Sequence, residues 1–130
     1  MSEQHGAIWW SELMTRDPAA AMAYYGQVCG WSWDEMPMPG GTYLVAMRDG
    51  QPVAGVMDMT GLEELEGVPA HWFTYIAVDD LDAAIADTVA AGGALAREPF
   101  EMADVGRIAI LSDPTGAMVG LMTPAGSEIG

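Results

Sequence analysis

The chain contains no lysine, and its four arginines stand against 19 acidic residues, for a formal charge of −15. A field of that sign repels phosphate backbones and anionic lipid surfaces, which disfavours nucleic acid and anionic membranes as partners, and none is expected. Arg16, Arg48, Arg97 and Arg107 are too dispersed to form an anion clamp. Cysteine occurs once, as Cys29. A disulfide framework within the chain is excluded, and Cys29, inside a helical pattern, reads as a buried thiol. Two histidines are too few for a histidine-rich site. No apolar run is long enough to span a bilayer, and the opening MSEQHG lacks the basic and apolar regions of a secretory leader, so a cytoplasmic protein is expected. There is no phosphate-binding loop and no Gly-x-Ser-x-Gly elbow. The 16 glycines therefore read as turn chemistry.

What is present is a core-forming sequence, 51% hydrophobic over 130 residues, enough for a single domain without metal or disulfide staples. It is organised around a repeat. Asp17–Gly30 (DPAAAMAYYGQVCG) returns as Asp80–Gly93 (DLDAAIADTVAAGG), and the offset pairs Trp10 with Phe73 and Glu12 with Tyr75. Two copies point to two half-domains that share one core.

In the first half, Ile8–Met14 alternates as a strand, with Ile8, Trp10, Glu12 and Met14 on one face. Asp17 is an N-cap with Pro18 at the first helical position, Ala21, Tyr24, Tyr25 and Val28 form the expected buried face, and Gly30 ends the helix. Strands follow at Trp31–Met36, Thr42–Arg48 and Gln51–Asp58, the last two joined by the hairpin turn Asp49-Gly50. Met59–Ala70, with Glu63, Glu64 and Glu66, reads as an acidic surface linker. The second half repeats the order. It runs through strand His71–Val78, a helix capped by Asp80 that buries Leu81, Ala84, Ile85 and Val89, and strands Ala94–Phe100, Arg107–Leu111 and Ala117–Met122. Asp113-Pro-Thr-Gly116 is a tight turn, and residues beyond Thr123 read as a frayed tail. The expected fold class is α+β. Two βαβββ modules, at about 7–58 and 71–123, would form a half-open, barrel-like sheet around a ligand-binding cleft.

Asp17-Pro-Ala-Ala-Ala with Tyr24-Tyr25 and Gly30-Trp31, Tyr75–Asp80 running on into Leu-Asp-Ala-Ala, and Gly106–Gly116 occur in this order on an internal repeat. Together they resemble the vicinal oxygen chelate superfamily of glyoxalase I, bleomycin- and fosfomycin-resistance proteins and extradiol dioxygenases, most closely its bacterial glyoxalase-like proteins. The resemblance implies homodimers or tandem fused pairs. It also implies four inward metal ligands, two per half, near the start of the first strand and in the last strand. Carried over residue by residue, these positions fall on Trp10, Phe73, Asp58 and Gly120. Only Asp58 has a ligand-type side chain, and one carboxylate does not hold a catalytic metal.

The sequence thus predicts a glyoxalase-like protein with no metal and no cofactor, binding a small organic molecule. The candidate ligand-binding residues are Trp10, Glu12, Asp58, His71, Phe73 and Tyr75. Trp10, Phe73 and Tyr75 could stack a planar or apolar ligand, with Glu12 as polar anchor and His71 beside it, while His5 reads as solvated. Sequestration, or a weak lyase or isomerase activity, would lie downstream of binding. Two alternatives stay open. One is a divalent-metal lyase, isomerase or dioxygenase using a rearranged Glu12, Asp58 and His71 set. The other is a non-catalytic dimeric interaction module.

Overall fold

The computed structural model describes residues 3–38, 41–102 and 105–125. The chain forms two compact units, Trp10–Phe73 and Met1–Trp9 with Thr74–Gly130. Each is built on one βαβββ module of an α+β fold.

In the first module, β1 (Ile8–Thr15) leads into α1 (Pro18–Cys29), then β2 (Ser32–Met38), β3 (Gly41–Arg48) and β4 (Gln51–Asp58). The helix starts where Asp17 accepts a hydrogen bond from the Ala20 N–H at 3.0 Å, and it stops at Gly30, which is left-handed at φ 74°. The β3–β4 hairpin turns on Asp49 and Gly50, both with positive φ, the signature of a primed two-residue turn. β4 then folds back beside β1 in parallel register, Glu12 opposite Gly55 and Leu13 opposite Val56. The sheet order is β2-β3-β4-β1.

The second module repeats this plan with β5 (His71–Ala77), α2 (Leu81–Ala90), β6 (Ala94–Met102), β7 (Gly106–Ser112) and β8 (Met118–Pro124). Asp80 caps α2 through the Ala83 N–H at 3.0 Å. β8 pairs with β5 in parallel, Tyr75 opposite Gly120, giving the order β5-β8-β7-β6. Val78, Leu81, Ala109 and Leu111 form a buried cluster beneath α2.

The observed strands match the expected ones within two residues at each end, and several local expectations are corrected. Tyr24 and Val28 do not belong to the buried face of α1, being 56% and 61% exposed. The sheltered side runs through Pro18, Ala21, Met22, Tyr25 and Gly26, where a side chain on Gly26 would meet Trp33. In α2, Thr88 takes the place expected of Val89, its hydroxyl donating to the Ala84 carbonyl at 2.7 Å while Val89 is exposed. Cys29 is exposed, because it is the last helical residue and lies off the sheltered stripe. The acidic segment after β4 exposes Glu63 and Glu66, as a surface linker should, and is also fastened down. Met59 is buried, Glu63–Leu65 form a 3₁₀ turn, and the Arg16 guanidinium donates to the Leu65 and Val68 carbonyls, both at 2.7 Å. Pro124, expected in a frayed tail, is the end of β8, and Thr123 before it is buried with its hydroxyl on the Val78 carbonyl. His5 is exposed, as expected of a solvated residue, and its Nδ1 also accepts the Asp79 N–H at 3.0 Å. The Pro-Gly part of the turn after β2, and the tail after Ala125, lie outside the described residues.

The β7–β8 turn gives a pH prediction. Asp113 accepts hydrogen bonds from the Thr115 hydroxyl at 2.6 Å and from the Thr115 and Ala117 N–H groups at 2.8 and 3.1 Å. The Thr115 hydroxyl first, then these N–H groups, holds the Asp113 carboxyl below its ordinary value. A depressed folded pKa gives stability that is present above the unfolded value, about 3.9, and lost as pH falls through the folded one. Urea denaturation from pH 5 down to 2 is expected to show wild type losing more stability than Asp113→Asn. Parallel curves would contradict it.

Candidate functional site

In the unit Trp10–Phe73, strand register separates the two faces of the sheet. Leu13, Val56, Ala54, Ala46 and Trp33 share one face, and α1 lies on it, with Gly26 against Trp33. Trp10, Glu12, Gly55, Tyr43, Val45 and Asp34 share the other.

On this second face Glu12 is buried, at 8% exposure. A carboxylate buried beside aromatic rings requires hydrogen-bond partners, and the sheet supplies one from two strands away. Tyr43 on β3 reaches across β4, and its hydroxyl donates to Glu12 Oε2 at 2.7 Å. The Trp10 indole N–H in turn donates to the Tyr43 oxygen at 3.0 Å. The intervening residue on β4 is Gly55, and any Cβ there would overlap the Tyr43 hydroxyl. Glycine in a strand interior marks such a close approach. The chain Trp10–Tyr43–Glu12 is therefore directional. Indole donates to phenol, phenol donates to carboxylate, and the result is a fixed acceptor group set in an aromatic surround.

The other unit carries a related arrangement. Tyr75 is buried, and its ring lies over its register partner Gly120, filling the space where a Cβ would project. The parallel register makes Gly55 the counterpart of Gly120. Asp58 stands three residues further on, opposite Thr15, on the helix-bearing face. It is exposed and accepts the Thr60 N–H at 2.9 Å, and its bonds to Thr60 hold its carboxyl below the ordinary value. Asp58 and Glu12 thus lie on opposite faces. His71 is half-buried, its Nδ1–H donating to the Pro69 carbonyl at 2.8 Å, and Phe73 is buried. The structure therefore joins Glu12 to Trp10 and Tyr43, and it does not assemble a Glu12, Asp58 and His71 set.

Tyr43 and Gly55 were not singled out by the sequence reading. The signals were there. Alternation in Thr42–Arg48 puts Tyr43 and Val45 on one face, and a glycine inside Gln51–Asp58 asks what approaches it. Two open hollows lie away from this chain of groups. One, of about 260 Å³, is bordered by Arg16, Leu62 and Glu66, and the other, of about 450 Å³, by His5, Val78 and Asp87. Neither is lined by Glu12, Tyr43 or Trp10, and the candidate site rests instead on the buried, hydrogen-bonded Glu12 carboxylate.

A metal does not fit the positions the resemblance implies. The Trp10 nitrogen is a donor already used by Tyr43, Phe73 is hydrocarbon, the space over Gly120 is taken by Tyr75, and Asp58 is turned to the helix side. Among the described residues no three His, Cys, Asp or Glu side chains come together as a metal-binding group.

Two βαβββ modules, each closed by parallel pairing of its first and last strands, define the fold class of paired-module α+β proteins. The chain belongs to the Glyoxalase/Bleomycin resistance protein/Dioxygenase superfamily, whose family model matches residues 7–121. It is 42% identical over 114 residues to "Putative glyoxylase CFP32" of Mycobacterium tuberculosis (strain CDC 1551 / Oshkosh), covering 86% of this chain and 43% of that protein. It is 32% identical over 123 residues to "Anthracycline biosynthesis protein DnrV" of Streptomyces peucetius, covering 86% and 45%. The chain thus spans less than half the length of these relatives. Among solved structures, methylmalonyl-CoA epimerase from Mycobacterium tuberculosis shares the fold with a TM-score of 0.67 at 16% identity, over 96% of this chain and 93% of the epimerase. A methylmalonyl-CoA epimerase in complex with methylmalonyl-CoA and NH4+ gives 0.70 at 19%, over 95% and 98%. No helix among the described residues is long and apolar enough to cross a membrane.

The glycine gap makes a prediction. Gly55→Ala is expected to push Tyr43 off Glu12, and Tyr43→Phe to remove the same hydrogen bond without adding bulk. Each should cost about 1–3 kcal/mol of unfolding free energy, the usual loss when a buried carboxylate gives up a partner. Chemical denaturation checks it. Wild-type stability in Tyr43→Phe would mean that water replaces the phenol.

Proposed function

We propose that the protein is a small-molecule-binding member of the glyoxalase superfamily, and that its ligand, a planar organic molecule, lies on the Trp10–Tyr43–Glu12 face. The observation that carries this reading is the buried Glu12 carboxylate. It sits on the sheet face away from α1, oriented by Tyr43 and bordered by aromatic and aliphatic groups. A few polar groups on an apolar floor are the usual make-up of a small-molecule site. The indole and phenol offer stacking surface, and Glu12 supplies the acceptor that fixes orientation. The relative named for anthracycline biosynthesis supports a planar polycyclic ligand. The metal-dependent reading is disfavoured by the donor chemistry at the implied positions. Any lyase or isomerase step would use Glu12 as the proton acceptor, since it is the ionisable group that this face buries.

Calorimetric titration of a planar polycyclic ligand found by screening, on wild type and Glu12→Gln, tests the site. Loss of a hydrogen bond to a charged group weakens binding roughly 10–150-fold. Unchanged affinity with both proteins folded would move the site elsewhere.

We further propose that the protein acts as a homodimer. Tyr24, Val28 and Trp72 leave a partly exposed apolar surface on the unit Trp10–Phe73, Trp72 being 40% exposed and bonded through its indole N–H to the Tyr25 hydroxyl at 3.1 Å. Relatives of which this chain matches less than half have room for a second domain, and a second copy of this chain would fill that role. Light scattering at micromolar concentration is expected to give twice the chain mass for wild type and a single chain for Val28→Glu. A wild-type monomer at all concentrations would refute it.

A further inference from the structure

We propose that the Glu12 face selects uncharged or cationic organic molecules and rejects anionic ones, coenzyme A thioesters among them. This deepens the reading just given and rests on it, and it separates this chain from the structural neighbours named for methylmalonyl-CoA.

The first ground is Glu12 itself. Its carboxylate is buried, so a charge placed near it is poorly screened by solvent. The Tyr43 hydroxyl spends its proton on Glu12 and the Trp10 N–H spends its proton on Tyr43, so the two donors of this chain are directed inward. An incoming anion meets a like charge in Glu12, and an incoming cation an opposite one.

The second ground is the rest of the face. Asp34 on β2 stands in register with Val45, which stands opposite Gly55, so a second carboxylate lies on the same side of the sheet as Glu12. Met36, two residues along β2 and opposite Tyr43, adds exposed apolar surface. The face therefore combines ring and thioether surface with two carboxylates.

The third ground is where the cations are. The unit Trp10–Phe73 holds nine acidic residues and two arginines. Arg16 is committed to the Leu65 and Val68 carbonyls, and Arg48 ends β3 at the hairpin turn. In the other unit Arg107 is bonded to Asp82 at 3.1 Å, and Arg97 lies 3.9 Å over the Phe100 ring. The chain has no lysine. A coenzyme A thioester carries several phosphate charges and needs cations to hold them. A unit charge about 6 Å from Glu12, at an effective dielectric constant near 20, changes binding on the order of 100-fold, with the sign set by the ligand.

The test uses one ring system in three charge states: anthraquinone carrying a 2-sulfonate, a 2-hydroxymethyl or a 2-(trimethylammonio)methyl group. Each is titrated calorimetrically into the full chain, alongside methylmalonyl-CoA. The expected order is cation, then neutral, then sulfonate, with at least about 100-fold between the extremes and no binding of the thioester. Glu12→Gln should narrow the cation–sulfonate gap at least tenfold. Asp34→Asn, at an exposed position where folding is not at stake, should narrow it by a smaller factor. Sulfonate or thioester binding as tight as the cation overturns the proposal. If Glu12→Gln weakens all three probes by one common factor, the site stands and its charge selectivity does not. If the three bind alike and Glu12→Gln changes none, or if no probe binds, both the selectivity and the site reading fall.

Discussion

The parallel pairing of first and last strand in each module is the constraint from which the rest of the structure follows. β1 and β4 are separated by α1, β2 and β3, yet lie side by side, and β5 and β8 do the same around α2, β6 and β7. That closure puts the opening strand of each module in register with its last, Glu12 with Gly55 and Tyr75 with Gly120. At both places the closing strand supplies a glycine, and at both a tyrosine uses the room. In one unit it is Tyr75 itself, and in the other it is Tyr43, reaching over from β3. A large side chain on the closing strand would compete for that volume. The glycines are thus part of how the aromatic groups are held.

Much of the fold was legible because its determinants are local. Asp17 and Asp80 cap helices through their own side chains, Gly30 ends α1 by its backbone conformation, and Asp49-Gly50 can hardly be anything but a hairpin turn. The repeat then carried the order of elements from one half to the other. Glu12 was legible as a candidate because alternation alone puts it beside Trp10.

What was not legible depends on register between segments far apart in sequence. Alanine-rich α1 has apolar residues on every side, so its pattern does not say that Ala21, Met22 and Tyr25 turn inward while Tyr24 and Val28 stay out. Tyr43 becomes Glu12's partner only once β3, β4 and β1 are aligned, a relation spanning 31 residues. The resemblance set Asp58 and Gly120 as the two last-strand positions, whereas strand pairing makes Gly55 the counterpart of Gly120, and Asp58 lies on the opposite face from Gly55. Arg16 and the segment after β4 show the same limit, for composition marks that stretch as polar and solvated. It is held by two bonds from one guanidinium and by a buried methionine.

The unit that contains residues 3–9 is otherwise made of residues from Thr74 onward. Gly6 donates to the Ala77 carbonyl and Ala7 accepts from the Ala77 N–H, so the start of the described chain is hydrogen-bonded to residues about seventy positions later. During synthesis the strands and helix between Trp10 and Asp58 emerge with their own partners, and that unit can consolidate while the ribosome is still at work. Residues 3–9 then have no strand to join. They must wait, extended and carrying the apolar Ile8 and Trp9, until the second module has left the tunnel. Of the described residues, those made first are thus the ones placed last, held extended until a partner strand about seventy positions later has been synthesised.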